Sequence, residues 1–174
     1  YDPAGDGMNL ELHVPGLREM DARAKWLADP ETMAYNRGQA IDADGYDPET
    51  GCIDFPIGDW RYWREIWLYQ EPNRFSAYLL DRDSGAFVGE VCYYDGFDPD
   101  AARAGILIAG AHRGKGFASE GLKLLCNRAF EREEIACLVA ELAEENERAI
   151  RAYLSAGFKV VRIEDGVVRL ERHK

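Results

Sequence analysis

The chain has no CxxC pair, only three histidines, no internal repeat and no long hydrophobic run. Its longest near-apolar stretch, Ala104 to Ala111, falls far short of the roughly 20 residues that span a bilayer as a helix. Tyr1 to Leu12 shows no basic segment followed by an apolar one, so no secretory leader is expected. Met8 is a plausible natural start, with residues 1–7 a remnant or a clipped end. Cys52, Cys92, Cys126 and Cys137 each sit among apolar neighbours and read as buried, reduced thiols of a cytoplasmic protein. Neither they nor His13, His112 and His173 show metal-ligand spacing, so no metal is expected. Positive charge is scarce too: 21 Lys and Arg against 32 Asp and Glu leave a net charge of −11. That balance argues against sequence-independent binding to nucleic acid or to an anionic membrane, both of which need a basic surface, and it favours cationic partners.

With 174 residues, 47 % of them hydrophobic, the chain can bury a core of its own, and residues 1–174 read as one domain without a linker. Asn9 to Val14 alternates apolar and polar residues and predicts a strand that Pro15-Gly16 ends. Leu17 to Ala28 has helical spacing, with a further helical turn expected over Thr32 to Tyr35. Gly38 to Gly58, rich in Gly, Pro and Asp, reads as a long loop of the kind that forms lids or binding loops. Asp59 is placed to cap a helix over Trp60 to Tyr69, whose Trp60, Trp63 and Trp67 share a face that packs on the core or stacks on a ligand. Strands are expected at Phe75 to Leu80, Ala86 to Tyr94, Ala104 to Ala109, Ala136 to Leu142, Phe158 to Ile163 and Val167 to Glu171. Helices are expected at Gly116 to Arg132 and from Asn146 to the stop at Gly157. The order is that of a mixed α/β domain.

The most informative segment is Ile106 to Gly121, where a buried strand runs into a small-residue basic turn that opens a helix. Such a turn offers unpaired N–H groups and the positive end of a helix dipole to an anion. Gly114 and Gly116 allow close approach of a phosphate, Ala118 is too small to block it, and Arg113 and Lys115 add positive charge. The segment is one residue short of a Walker loop and lacks the Ser or Thr that would follow, while a dinucleotide fingerprint fails at Ser119, where a third glycine belongs.

On these residues the sequence resembles the GNAT family of acyl-CoA-dependent N-acetyltransferases. Arg113, Gly116 and Ala118 match the family's [QR]-x-x-G-x-[GA] phosphate loop directly after a central strand. Downstream, Asn146, Ala149, Tyr153, Gly157 and Phe158 match a second family pattern, and the likeness is firm over residues 75–164. The resemblance implies an α/β (α+β) fold with a mostly antiparallel central sheet, splayed central strands and flanking helices. It implies acetyl-CoA as co-substrate, its pantetheine arm lying between the strands near Leu107, Ile108 and Ala109. The pyrophosphate would sit on the N–H groups of Arg113, Gly114, Lys115, Gly116, Phe117, Ala118 and Ser119. Asn146 would contact the arm, and Tyr153 would hold the thioester sulfur and protonate the leaving thiolate.

The chemistry then needs a deprotonated amine held beside the thioester and a group that removes its proton. Glu90, on the strand beside the central one, is the candidate base, with a water chain or a merely structural carboxylate as the alternatives. Asp42, Asp44, Asp47, Asp54, Asp95 and Asp98 could draw in a cationic amine such as a polyamine, an aminoglycoside or a protein N-terminus, or be solvated loop charge. A degenerate member that binds acyl-CoA as a sensor without turnover is the competing reading. A homodimer formed through the apolar last hairpin is a further expectation.

Overall fold

The structure, a computed structural model, describes residues 9–95, 99 and 101–174. The expectations for residues 1–7 and for Asp98 lie outside the described residues. Seven strands form one sheet: β1 (Leu10–His13), β2 (Arg74–Asp81), β3 (Ala86–Asp95), β4 (Ala101–Ile108), β5 (Cys137–Ala143), β6 (Lys159–Glu164) and β7 (Val167–His173). Their order is β1-β2-β3-β4-β5-β7-β6, antiparallel throughout except for the central β4–β5 pair. β4 begins three residues before the apolar run that announces it. Arg103 interrupts the hydrophobic pattern, yet Ala101 to Arg103 pair with β5.

Helices cover the sheet: α1 (Met20–Leu27), the short α2 (Pro30–Met33), α3 (Trp60–Trp67), α4 (Phe117–Phe130) and α5 (Glu147–Ser155). One core layer joins Leu122, Leu125 and Ala129 of α4 with Phe75, Leu79, Val91, Leu138 and Leu170 of the sheet and with Tyr153 of α5. A second lies on the other face, where Met20, Trp26 and Leu27 of α1 meet Tyr78, Leu107 and Ala109. The tryptophan stripe packs here, Trp60 and Trp63 against this second layer and Trp63 stacked on Trp67 at 5.9 Å. Asp59 does not cap α3 through its side chain. A 3-10 turn over Ile57–Asp59 leads into the helix, and Asp59 itself has helical backbone angles, so its carboxylate cannot fold back on the first turn.

The long loop is a packed element. Tyr46 and Ile53 form a bridge, Ile53 N–H donates to Leu27 O at 2.9 Å, and Gly51 presses on the end of α2. A Cβ on Gly51 would come within 2.1 Å of Met33 O, and its φ of +81° is left-handed, so this contact requires glycine.

Ahead of β2, Glu71 joins three elements. Its carboxylate accepts from Tyr93 Oη at 2.8 Å, Arg128 Nη2 at 2.7 Å and Arg132 Nε at 3.0 Å. Burial would raise the pKa of this carboxyl, but the hydrogen bonds from Arg128, Tyr93 and Arg132 outweigh it and hold the group below its ordinary value. Such a depressed carboxyl stabilises the fold above its unfolded-state pKa, and that stability is lost as pH falls through the folded value. Glu71→Gln is therefore expected to cost about 1–3 kcal/mol at pH 7 by weakening the hydrogen bond of the buried Tyr93 hydroxyl. In urea melts the gap from the unmodified protein should narrow as pH falls below the ordinary glutamate range; a pH-independent gap would contradict this account.

Candidate active site

The β4–β5 ladder holds only at Ala101↔Cys137, Ala102↔Leu138 and Arg103↔Val139. Beyond it the strands part, β4 staying on β3 and β5 on β7 along their whole lengths. Strand alternation then decides which backbone groups face the gap. Ala109 N–H donates to Val88 O at 2.9 Å, and Leu107 O faces Gly89, so Leu107 and Ala109 spend their backbone on β3. Of the three β4 residues expected to meet the cofactor arm, Ile108 alone points its backbone into the gap, joined there by Ile106. On β5, Lys174 N–H donates to Ala136 O and Glu144 N–H to Gly166 O, both toward β7, which leaves Glu141 and Ala143 facing β4.

Tyr153 stands at the apex of the gap. Its ring is 2 % exposed and its hydroxyl donates to Ala104 O at 3.2 Å. In register, one more step of the parallel ladder would bring Glu141 N–H to that carbonyl, so the tyrosine hydroxyl occupies the place where pairing stops. Burial, then the fields of Cys92 and Tyr94, push this phenol far above its ordinary pKa, so it stays protonated at physiological pH. Phe158 closes on the ring edge-on at 4.9 Å. Asn146 caps α5, its side chain accepting from Ala149 N–H at 3.4 Å, and this sets the helix that carries Tyr153.

At the other end of β4 the glycine turn leads into α4. Gly114 and Gly116 have φ of +79° and +82°, conformations that other residues adopt at a cost. The N–H groups of Gly116, Phe117, Ala118 and Ser119 find no acceptor among the described residues. Arg113 differs from expectation. Its N–H closes the turn onto Gly110 O at 3.3 Å, and its guanidinium donates to the carbonyls of Glu31 at 2.9 Å and Thr32 at 2.6 Å. The free amides thus begin after Arg113, whose side chain ties the turn to α2. Thr32 completes the tie by accepting from Gly110 N–H at 2.9 Å. Burial, then repulsion from Arg148, lower the pKa of Arg113, so Arg148 is a further cation beside the turn that the motif did not reveal.

Glu90 lies on the α1 face of β3. A bulge at Val88 puts Gly89 opposite Leu79, where a Cβ would meet Leu107 O at 2.0 Å. The Glu90 carboxylate accepts from Arg23 Nε at 3.1 Å, and Arg23 is itself held over Trp63 at 4.2 Å and Phe55 at 4.7 Å. Neither Arg23 nor this aromatic clamp is visible as a motif; only the strand-three alternation and the tryptophan stripe hint at it. Beside Glu90, the Cys92 thiol is pushed up to about 12 by burial and then by the carboxylate. The Tyr35 hydroxyl is raised by desolvation first and by Glu90 second, so the two groups share a field although Tyr35 is 49 % exposed.

The sheet split between two halves, the buried phenol at the split and the free amides at a helix start are the features of the fold on which a comparison with known proteins bears. The chain belongs to the GNAT acetyltransferase family: the model of the acetyltransferase (GNAT) domain matches residues 9–159. The fold is similar to that of a spermidine N-acetyltransferase from Vibrio cholerae solved with CoA and spermine, with TM-score 0.71 at 16 % identity, over 94 % of this chain and 95 % of that one. It is similar also to the aminoglycoside acetyltransferase AAC(6')-Ib solved with coenzyme A and kanamycin, with TM-score 0.69 at 18 % identity and 95 % of each chain covered. A GNAT-family acetyltransferase from Bacillus anthracis aligns with TM-score 0.70 at 13 % identity over 94 % of both chains. No curated protein sequence matches the chain.

Gly116→Glu is expected to abolish binding of acetyl-CoA, because it strains a left-handed position and sets a carboxylate against the free amides. Isothermal titration reads this directly, and wild-type affinity in a folded variant would refute the assignment of the turn.

Proposed function

We propose that the chain moves the acetyl group of acetyl-CoA to a primary amine by direct attack within a ternary complex. The observation that carries this reading is Tyr153, a permanently protonated phenol at the point where β4 and β5 separate. The amides of Gly116, Phe117, Ala118 and Ser119, with Lys115 and Arg148 nearby, hold the pyrophosphate. The backbone of Ile106 and Ile108 receives the amides of the pantetheine arm as an added half-strand, while Leu107 and Ala109 keep β4 fastened to β3. Asn146 borders the arm and orients α5. Tyr153 gives its proton to the sulfur as the C–S bond breaks, and a neutral donor there avoids expelling a bare thiolate.

The attacking amine must first lose a proton, since its ordinary pKa is near ~10. Glu90 is the residue we assign to receive it, held in place by Arg23. Holding amine and thioester in contact supplies most of the acceleration. The acceptor we favour is a cationic amine. The net charge of −11 supports this, as do the exposed carboxylates of Asp42, Asp44 and Asp54 in the packed loop. Two of the structural neighbours were solved with spermine, a polyamine, and with kanamycin, an aminoglycoside.

Thiol release from acetyl-CoA, measured against spermidine, an aminoglycoside, a peptide with a free N-terminus and a neutral amine, tests the reading. Turnover with at least one cationic amine is expected; tight acetyl-CoA binding without turnover on any amine would leave an acyl-CoA sensor. Tyr153→Phe should lower kcat by about 10²-fold while leaving acetyl-CoA affinity unchanged. Because the phenol stays protonated, the unmodified enzyme should show no loss of kcat from ionisation of this group between pH 7 and about 9. An undiminished rate in Tyr153→Phe would remove the proton-donor role.

A further inference from the structure

At the closed end of the β4–β5 ladder, away from the gap, a cysteine of β5 meets two side chains of β7. Cys137 opens β5, and its register partner across the β5–β7 ladder is His173, with Glu171 two residues back on the same face of β7. Cys137 Sγ lies 3.7 Å from His173 Nε2 and 3.9 Å from Glu171 Oε1. The same two atoms of His173 and Glu171 are 3.7 Å apart. The triangle is nearly equilateral, and one point in its plane lies about 2.2 Å from all three atoms, within about 0.2 Å of zinc–sulfur, zinc–nitrogen and zinc–oxygen bond lengths.

We propose that Cys137, Glu171 and His173 form a zinc-binding clamp that fastens the last strand to β5. The donor set is one thiolate, one imidazole and one carboxylate, a mixture that suits Zn(II) better than the oxygen-seeking Mg(II) or Ca(II). The supporting arrangement is present. Lys174 N–H donates to Ala136 O at 2.9 Å, which pins the strand ends that carry the histidine and the cysteine. Arg169 Nε stands 3.9 Å from Glu171 Oε2 and steadies the carboxylate oxygen that does not face the triangle. Cys137 is buried whereas His173 is 70 % exposed, so an ion enters from the imidazole side and a water completes its coordination there. On binding, the cysteine thiol gives its proton to solvent and the sulfur–metal bond forms in its place. Arg169 faces this group from β7, and its guanidinium is itself paired with Glu141 Oε1 at 3.1 Å, which offsets its repulsion of an incoming dication.

Anaerobic titration of the reduced, tag-free chain with Co(II), a spectroscopic substitute for Zn(II), tests the clamp without reference to acetyl transfer. The expected result is one equivalent bound, with a near-ultraviolet thiolate-to-cobalt charge-transfer band that Zn(II) then bleaches. Cys137→Ser should remove that band. His173→Ala and Glu171→Gln should keep it while weakening the apparent Kd by at least about tenfold. Absence of the band, or its survival in Cys137→Ser, would overturn the proposal, as would affinity left unchanged by both His173→Ala and Glu171→Gln.

Discussion

Everything else in this molecule is arranged around a ladder that stops. β4 and β5 pair for three residues and then separate, although each remains fully paired on its other side. Backbone groups inside a fold are costly to leave without partners, and a sheet that continued would have satisfied them. The Tyr153 hydroxyl caps the last paired step by taking the Ala104 carbonyl. Past that point, among the described residues, Ile106, Ile108 and Glu141 turn unspent backbone donors and acceptors toward the opening, and Ala143 adds its N–H, its carbonyl already accepting from Asn146 N–H at 2.9 Å. A ligand with amides at strand-like spacing is the complement we propose for these edges, with the free amides at the start of α4 as the proposed seat of its anionic end.

The N-terminal third holds this opening in shape. Thr32 and Arg113 fix the glycine turn to α2 through Gly110 and through the carbonyls of Glu31 and Thr32. Gly51 presses the long loop against the same helix, and Phe55 from that loop helps hold the guanidinium that positions Glu90. The part of the chain that is least regular in sequence thus supports both the glycine turn and the Arg23–Glu90 pair. Packing the loop in this way restricts how far it can act as a lid.

Elements with a strong local signature were legible in the sequence. Alternation marked the strands, and the positive φ at Gly114 and Gly116 explains why the turn demanded glycine. Asn146 and Tyr153 stood out because, with Ala149, Gly157 and Phe158, they match a pattern of the family that the sequence resembles. What escaped was cross-strand or cross-helix in origin. Arg23 meets Glu90 over 67 positions of sequence, and Arg113 reaches residues 81 and 82 positions away. The parity of the gap-facing amides on β4 depends on its register against β3, which a single strand does not disclose. The Cys137, Glu171 and His173 triangle escaped for the same reason: strand pairing brings Cys137 to the Glu171–His173 pair, over 34 and 36 positions of sequence.

The central claim is that unpaired strand edges and the free amides of the turn jointly hold the acyl carrier. Backbone hydrogen–deuterium exchange, resolved to single amides with and without acetyl-CoA, tests it most directly. The account predicts slowed exchange at Ile106 and Ile108 and across Gly116 to Ser119, with β1 unaffected. Protection that leaves all of these amides unchanged while acetyl-CoA is bound would contradict it.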